Sequence, residues 1–158
     1  MGAALKFTSG ESRFLRELLR RHVPFMVVGL SGAALQGALV VTQDVDLWFR
    51  NPGDPRIQQA LKTVGGTYVP IIYLNPPSFV GDAVDIFDIV MNMSGLKDFD
   101  VERRNAVLIP LGRYRLPVLP LERIIASKQA ANREKDQLVL PRLKNALKTR
   151  QALLRKKI

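Results

Sequence analysis

The stretch FMVVG at residues 25–29 and the stretch DVDLWF at residues 44–49 decide the fold of this chain. Each is a short apolar run, and the second carries two carboxylates one residue apart, Asp44 and Asp46. Side chains at positions i and i+2 of a β-strand leave from the same face, so both carboxylates point into one small volume. Like charges held together repel, and a divalent cation is the usual remedy. The pattern predicts Mg²⁺-dependent chemistry on nucleotide phosphates; the alternative is a solvated pair of acids at a strand edge.

Composition restricts the class of protein. A chain of 158 residues with 47% hydrophobic content is long enough for one domain with a proper core. Cysteine is absent, which excludes disulfides and thiolate metal sites, and the single His22 excludes a multi-histidine zinc centre. No segment reaches the roughly twenty apolar residues of a membrane span. We expect a cytoplasmic protein without a membrane partner.

The charge is strongly positive, with a net charge of +10 and a sequence pI of about 10.4. This balance favours polyanionic partners such as nucleic acid or nucleotide phosphates. The basic residues concentrate in the first and last helical segments: Arg13, Arg16, Arg20, Arg21, Lys144, Lys148, Arg150, Arg155, Lys156 and Lys157. The alternative is that both segments are solvated helix faces followed by a frayed basic tail.

Periodicity and turn residues predict the first half of the chain. An amphipathic helix over 9–21, capped by Ser9 or Ser12, precedes a buried strand at 25–28. A short helix over 31–36 follows Gly29, and its N-terminus presents free backbone N–H groups. A second strand at 45–49 leads to a helix over 55–64 that Asp54 caps.

The second half is predicted in the same way. The proline-rich segment 68–81 predicts an irregular connection with one strand at 71–74, followed by a strand at 84–90, a helical turn at 98–104 and strands at 106–111 and 114–119. Helices over 121–132 and 134–148 end the chain. The order of elements predicts a single α/β domain over 1–158 with a small mixed sheet flanked by helices. Within it we expect a core at about 25–119, a helical C-terminal part at about 120–150 and a basic tail at 151–158.

Four features in this order resemble the nucleotidyltransferase superfamily over roughly residues 25–145. They are Gly29 after a buried strand, the motif Thr42-x-Asp44-x-Asp46, an acid on a later strand, and the segment KQAANREKD at 128–136. The likeness is greatest to the minimal and toxin-like branches related to the AbiEii-type transferases of abortive-infection systems. The resemblance implies a nucleotidyltransferase-like α/β fold and transfer of a nucleoside monophosphate from a nucleoside triphosphate. It also implies an unknown acceptor, which is RNA or tRNA, a protein hydroxyl or a small molecule, and raises the prospect of an antitoxin protein partner.

The resemblance also implies roles for particular residues. Asp44, Asp46 and Asp88 are the expected catalytic carboxylates and ligands of Mg²⁺ or Mn²⁺. Asp85 is the alternative to Asp88, because strand alternation places the two acids on opposite faces and only one can join Asp44 and Asp46. The expected nucleotide- and phosphate-binding residues are Gly29, Ser31, Thr42, Lys128, Arg133, Lys135 and Asp136. The last four can instead form salt bridges that serve structure alone.

Three positions depart from the superfamily pattern. Leu30 stands where a second Gly or Ser is usual, Gly32 where Ala is common and Val40 where Arg is common. The carboxylates are kept while part of the phosphate-binding turn is altered. A second interpretation therefore remains open, in which a degenerate nucleotidyltransferase-like domain serves as an RNA- or protein-binding module. A third is an unrelated α/β domain.

Overall fold

The computed structural model of the chain describes residues 5–156. Its elements in chain order are α1 (Ser9–Arg20), β1 (Phe25–Val28), α2 (Gly29–Leu35), β2 (Val45–Phe49), α3 (Pro55–Thr63), β3 (Thr67–Val69), β4 (Ser78–Val80), β5 (Phe87–Val90), α4 (Phe99–Arg103), β6 (Val107–Leu111), β7 (Tyr114–Val118), α5 (Leu121–Ala131) and α6 (Glu134–Lys156).

A mixed five-stranded sheet with the strand order β5-β2-β1-β7-β6 forms the centre of the fold. The central strand β1 pairs antiparallel with β2 and parallel with β7. Strand β5 runs parallel to β2 at one edge, and β6 runs antiparallel to β7 at the other. All four residues of β1 are buried, as expected of a strand covered on both faces. The predicted α/β fold class is confirmed.

Two apolar clusters cover the two faces of the sheet. On one face, Phe14 and Leu18 of α1 and Leu61 of α3 pack against Phe25 and Val27. On the other face, residues of α2, α5 and α6, including Ala33, Ile124 and Leu143, pack against Met26 and Val28. The alternation of side chains along β1 thus divides the core between the two faces.

The helix caps agree only partly with the sequence prediction. Asp54 caps α3 as predicted, because its Oδ1 accepts a hydrogen bond from the Arg56 N–H at 2.9 Å. The prediction that Ser9 or Ser12 caps α1 is wrong. Thr8 is the N-cap: its Oγ1 accepts from the Glu11 N–H at 3.2 Å, and Glu11 Oε1 accepts from the Thr8 N–H at 2.9 Å. Glu11 completes a capping box that only Thr8 has the spacing to form.

Two predicted strands are displaced. The strand predicted at 71–74 is wrong, because β3 and β4 form a two-stranded hairpin around that segment and leave Tyr73 and Leu74 exposed at its tip. The prolines at 70, 76 and 77 lack the N–H groups that a strand ladder needs. The strand predicted at 84–90 begins only at Phe87, because residues 82–86 form a turn in which Asp85 accepts a hydrogen bond from the Gly81 N–H at 2.9 Å.

The last helix is longer than predicted. α6 continues through residues 151–156, which the sequence assigned to a basic tail, while residues 157 and 158 of that tail lie outside the described residues. None of the helices within residues 5–156 combines the length and the apolar character needed to cross a membrane.

Candidate active site

The strand register places two carboxylates side by side at one end of the sheet. Asp46 lies opposite Val28 of β1 on one side and opposite Asp88 of β5 on the other. Residues paired across neighbouring strands project from the same face, so both carboxylates project toward the face that α5 covers. Asp88, rather than Asp85, therefore joins Asp46, since Asp85 is engaged in the turn before β5.

Gly29 brings the main chain against the Asp46 carboxylate. It has a φ of +64°, which lets the chain leave β1 and enter α2 at once. A β-carbon built at this position would overlap Asp46 Oδ2. A glycine is thus required both by the backbone conformation and by the close approach of the acid.

Ser31 and Thr42 support the site with hydroxyl groups that are already engaged. The Ser31 hydroxyl donates to the Val28 carbonyl at 2.8 Å and accepts from the Asp46 N–H at 3.1 Å, and this side chain is only 1% exposed. The Thr42 hydroxyl donates to the Asp44 carbonyl at 2.7 Å. These three bonds hold the strand ends in place. The predicted contact of the Ser31 hydroxyl with phosphate is therefore not available in this structure.

The pKa values of the carboxylates of Asp46 and Asp88 are both raised. Burial raises the pKa of Asp46, and the charges of Asp88 and Asp44 raise it further against the opposing effect of Lys128 and Lys135. Burial and then the charge of Asp44 raise the pKa of Asp88. Burial is the first cause of both shifts, and repulsion between neighbouring carboxylates adds to it; a bound cation would relieve that repulsion.

The three predicted metal ligands do not close into one cluster. Asp44 lies one residue before β2 and is exposed. Within residues 5–156 the structure contains no group of three or more His, Cys, Asp or Glu side chains placed to hold a metal ion. The register brings together two of the three predicted carboxylates, Asp46 and Asp88.

The opposite wall of the site is cationic, and Asp136 organises it. This carboxylate is 0% exposed. It accepts hydrogen bonds from Arg133 Nε at 2.8 Å and from the Arg133 N–H at 3.1 Å, and lies 3.3 Å from Lys128 Nζ. Burial alone would raise the pKa of Asp136, but the hydrogen bonds from Arg133 and the charge of Lys128 outweigh it and lower the pKa. Asp136 thus fixes the end of α5 and the start of α6 in one arrangement.

A cleft of about 440 Å³ lies between these two walls. Its volume is within the range of small-molecule sites. Five of the predicted site residues line it: Gly29, Asp46, Lys128, Arg133 and Lys135. The other five, Ser31, Thr42, Asp44, Asp88 and Asp136, are not among the residues that line it.

The sequence prediction missed several polar residues of the cleft. Asn92 and Ser94 follow the end of β5, and Ser127 precedes Lys128 on α5. The signal was available for two of them, because polar residues directly after a strand that carries a site acid tend to line the same site. Ser127 sits in an apolar stretch of α5 and gave no separate signal.

Core packing explains the three departures from the superfamily pattern. Val40 is 4% exposed and belongs to the apolar cluster on the α5 face, against which Leu30 also packs. A β-carbon at Gly32 would lie 3.0 Å from Ile124 Cδ1 and 3.2 Å from the Val27 carbonyl oxygen. All three residues are thus part of the apolar packing around α2 and the segment that follows it.

The chain has a nucleotidyltransferase fold, with the mixed five-stranded sheet and the helical C-terminal part expected of it. It is similar to two solved structures of ANT(2")-Ia, an aminoglycoside nucleotidyltransferase. The first is a crystal structure in complex with adenylyl-2"-tobramycin, with a TM-score of 0.56 at 12% identity over 90% of each chain. The second is a solution structure of this antibiotic-resistance factor, with a TM-score of 0.55 at 13% identity over 94% of this chain and 95% of the other. No family model and no curated protein sequence matches the chain.

Proposed function

We propose that this protein transfers a nucleoside monophosphate from a nucleoside triphosphate to an acceptor hydroxyl, with release of pyrophosphate. One observation carries the proposal: Asp46, which is paired with Asp88 across β2 and β5, lines the same cleft as Lys128, Arg133 and Lys135. Carboxylates that hold a cation on one side and fixed cations on the other are what the transfer of a charged phosphoryl group requires.

The donor set fits a divalent cation. Mg²⁺ uses one or two protein carboxylates and completes its octahedral shell with water and substrate phosphate oxygens, so the paired Asp46 and Asp88 suffice without a closed third ligand. The raised pKa of both acids accords with this fit, because the charge of neighbouring carboxylates adds to the effect of burial at both positions. Mg²⁺ or Mn²⁺ bound there would polarise the α-phosphate and neutralise its charge.

The protein's own side chains would bind the triphosphate on the other wall. Lys128 and Arg133 are held by the buried Asp136, so their positive charges are positioned before a ligand arrives. Lys135 lines the cleft beside them. The absence of a side chain at Gly29 lets the ligand approach the main chain beside Asp46. Asp136 acts as a positioning residue, since it lies behind the wall.

The reaction then needs one base. The acceptor oxygen forms a bond to the α-phosphorus, the bond from that phosphorus to the bridging oxygen of the β-phosphate breaks, and pyrophosphate leaves. The hydroxyl proton would pass to the carboxylate oxygen of Asp88 that the metal ion does not use.

The positive charge of the chain favours one class of acceptor over the others. Among the described residues that line the cleft, every charged side chain apart from Asp46 is a cation, and the whole chain carries +10. A polyamine acceptor would be repelled by this field, whereas RNA or tRNA would be attracted. We therefore place RNA first among the acceptors, ahead of a protein hydroxyl and a small molecule.

Membership of the toxin-like AbiEii branch, with an antitoxin protein partner, is the part of the proposal that rests on the sequence motifs alone. Its test is co-expression: growth arrest on expression of the protein, relieved by a neighbouring gene product that co-purifies with it, is the expected result. Normal growth with an active enzyme would remove this part and leave the transfer reaction standing.

The transfer reaction is tested with α-phosphate-labelled ATP, CTP, GTP and UTP, each with Mg²⁺ or Mn²⁺, and with total RNA, protein or tobramycin as acceptor. Label should move to an acceptor in the presence of metal and be lost in the double variant Asp46→Asn, Asp88→Asn. The matched control is Asp85→Asn, which removes a nearby acid whose carboxylate accepts a hydrogen bond from the Gly81 N–H. Transfer that survives the double variant would contradict the proposal. Nucleotide or RNA binding without any transfer would favour the degenerate binding module instead.

A further inference from the structure

A second basic site lies on the face of the sheet that α1 covers. Between α1 and the turn joining β6 to β7 is a groove of about 370 Å³, lined by Arg13, Arg16, Glu17, Arg20, Arg113 and Tyr114. We name it the arginine groove. The side chain of Arg16 lies against the turn, since a β-carbon at Gly112 would be 3.8 Å from Arg16 Cδ.

Most of the guanidinium groups in the arginine groove form no salt bridge among the residues that the structure describes. Among the described residues that line it, the only acid is Glu17, which binds Arg20 at 3.0 Å and also pairs with Arg21. Arg13, Arg16 and Arg113 form no salt bridge within residues 5–156. Three guanidinium groups in one groove, all without a carboxylate, repel one another and favour an anion that several of them can share.

The groove is separate from the candidate active site. α1 packs through Phe14 and Leu18 on one face of the sheet, whereas Ile124 and Lys128 of the active-site cleft lie on the opposite face. A ligand in the arginine groove would therefore not occupy the nucleotide cleft.

The spacing and the aromatic ring define the ligand. Arg13, Arg16 and Arg20 follow one face of α1 over about 10 Å, so their guanidinium groups lie in a row that the backbone of a nucleic-acid strand can follow. Beside them Arg113 stacks at 5.4 Å on the ring of Tyr114, which is half-buried. An arginine and an aromatic ring in a basic groove provide the stacking surface that unpaired bases use.

We infer that the arginine groove binds single-stranded RNA, with Arg13, Arg16 and Arg113 on phosphates and Tyr114 against a base. An acidic peptide would use the same guanidinium groups but would gain nothing from the ring. The inference goes beyond the proposed transfer reaction and does not depend on it, because the groove would bind RNA whether the RNA is an acceptor or only a partner.

The test measures fluorescence anisotropy of a labelled 20-nucleotide polyuridine RNA on the full chain over a series of salt concentrations. The triple variant Arg13→Gln, Arg16→Gln, Arg113→Gln should weaken binding at least about tenfold and lower the slope of log K against log salt by about 2, since each phosphate contact on a single strand contributes about 0.7. The matched control is Arg142→Gln, Lys144→Gln, Lys148→Gln, which removes the same charge from the exposed face of α6. It should change binding little.

Two further measurements separate this inference from the proposed function. The variant Asp46→Asn, Asp88→Asn should bind the RNA as tightly as the wild type, and the arginine variant should keep the wild-type melting temperature and its stabilisation by Mg²⁺ and nucleoside triphosphate. No RNA binding by the wild type, an equal loss in both charge variants, or loss of binding only in the aspartate variant would overturn the inference. Binding of polyglutamate as tight as that of the RNA would assign the groove to an acidic protein instead.

Discussion

Gly29 lies so close to Asp46 that a β-carbon at position 29 would meet the carboxylate oxygen of Asp46. The glycine also has a φ of +64°, a conformation that costs an L-residue about 1–2 kcal/mol. Gly29→Ala should therefore lower the free energy of unfolding by about that amount and, in addition, displace Asp46. Under the proposed function it should abolish thermal stabilisation by Mg²⁺ and nucleoside triphosphate.

The control for Gly29 is Gly65→Ala. Gly65 has a φ of +74°, and no atom lies within 4 Å of the place that a β-carbon would take, so its substitution carries the backbone cost alone. It should lose similar stability and keep the nucleotide-dependent shift. An equal loss of that shift in both variants would mean that backbone strain, and not the contact with Asp46, governs the site.

We expect the ionised carboxylate of Asp46 to destabilise the ligand-free protein at neutral pH. Its folded-state pKa is raised above the ordinary value of 3.8, so the unfolded chain ionises first as the pH rises. Wild-type stability should fall, relative to Asp46→Asn, as the pH climbs from near 3.8 through the raised folded value, and the variant should be about 1 kcal/mol more stable at pH 7. Urea denaturation across this pH range measures the difference, with Asp82→Asn at an exposed position as the control substitution. A less stable Asp46→Asn at pH 7 would contradict the assignment of unbalanced charge.

Gly32 should behave unlike an ordinary helical glycine. Replacing glycine by alanine inside a helix usually stabilises it by about 0.5–1 kcal/mol. Here the added β-carbon would lie 3.0 Å from Ile124 Cδ1 and 3.2 Å from the Val27 carbonyl oxygen. Gly32→Ala should therefore lose about 1–2 kcal/mol through overpacking. Adding Ile124→Val should recover part of that loss in urea denaturation; a stabilised single variant would show that α2 packs less tightly.

The ion pair of Glu102 and Arg123 should contribute more to the free energy of unfolding than an exposed ion pair does. Glu102 accepts from Arg123 at 2.7 and 2.9 Å and from the Lys97 N–H at 2.9 Å, and its side chain is 4% exposed. Glu102→Gln should lose about 1–3 kcal/mol. The control is Asp100→Asn, whose partner is Arg50 and whose side chain is 58% exposed; it should lose less than about 1 kcal/mol.

The ion pair of Glu102 and Arg123 should also make the stability of the protein depend on pH. The hydrogen bond from Arg123 lowers the pKa of Glu102 below its ordinary value of 4.5, so its contribution is complete above that value and is lost as the pH falls through the lowered folded pKa. The stability difference between wild type and Glu102→Gln should therefore shrink below pH 4.5. A difference that stays constant into the acid range would mean that the charge of Glu102 contributes nothing.

The sequence predicted those elements whose signals are local. The buried run of β1, the Asp54 cap of α3 and the two acids of the Asp-x-Asp motif can each be recognised from neighbouring residues alone. The hairpin around 71–74 could not be predicted, because its strands are three residues each and its most apolar residues are exposed. Asp85 and Asp88 could not be separated by local pattern, since only the turn that Asp85 closes shows where β5 begins.

The sequence identified which charged residues belong to the candidate site, but not what each of them contacts. Lys128, Arg133 and Asp136 stand at helical spacing, but only the tertiary contact of α5 with α6 shows that Asp136 is buried behind the wall. Ser31 was predicted as a phosphate ligand because it follows the glycine turn. Its pairing with Val28 and Asp46 depends on the register between β1 and β2, which no local pattern specifies.

The most direct test of the proposed nucleotide site is a crystal structure of the protein with Mn²⁺ and a non-hydrolysable ATP analogue. We expect an anomalous Mn²⁺ peak between the carboxylates of Asp46 and Asp88, with the triphosphate against Lys128 and Arg133. Nucleotide bound elsewhere, or bound in the cleft with no Mn²⁺ at these two carboxylates, would contradict the proposed site.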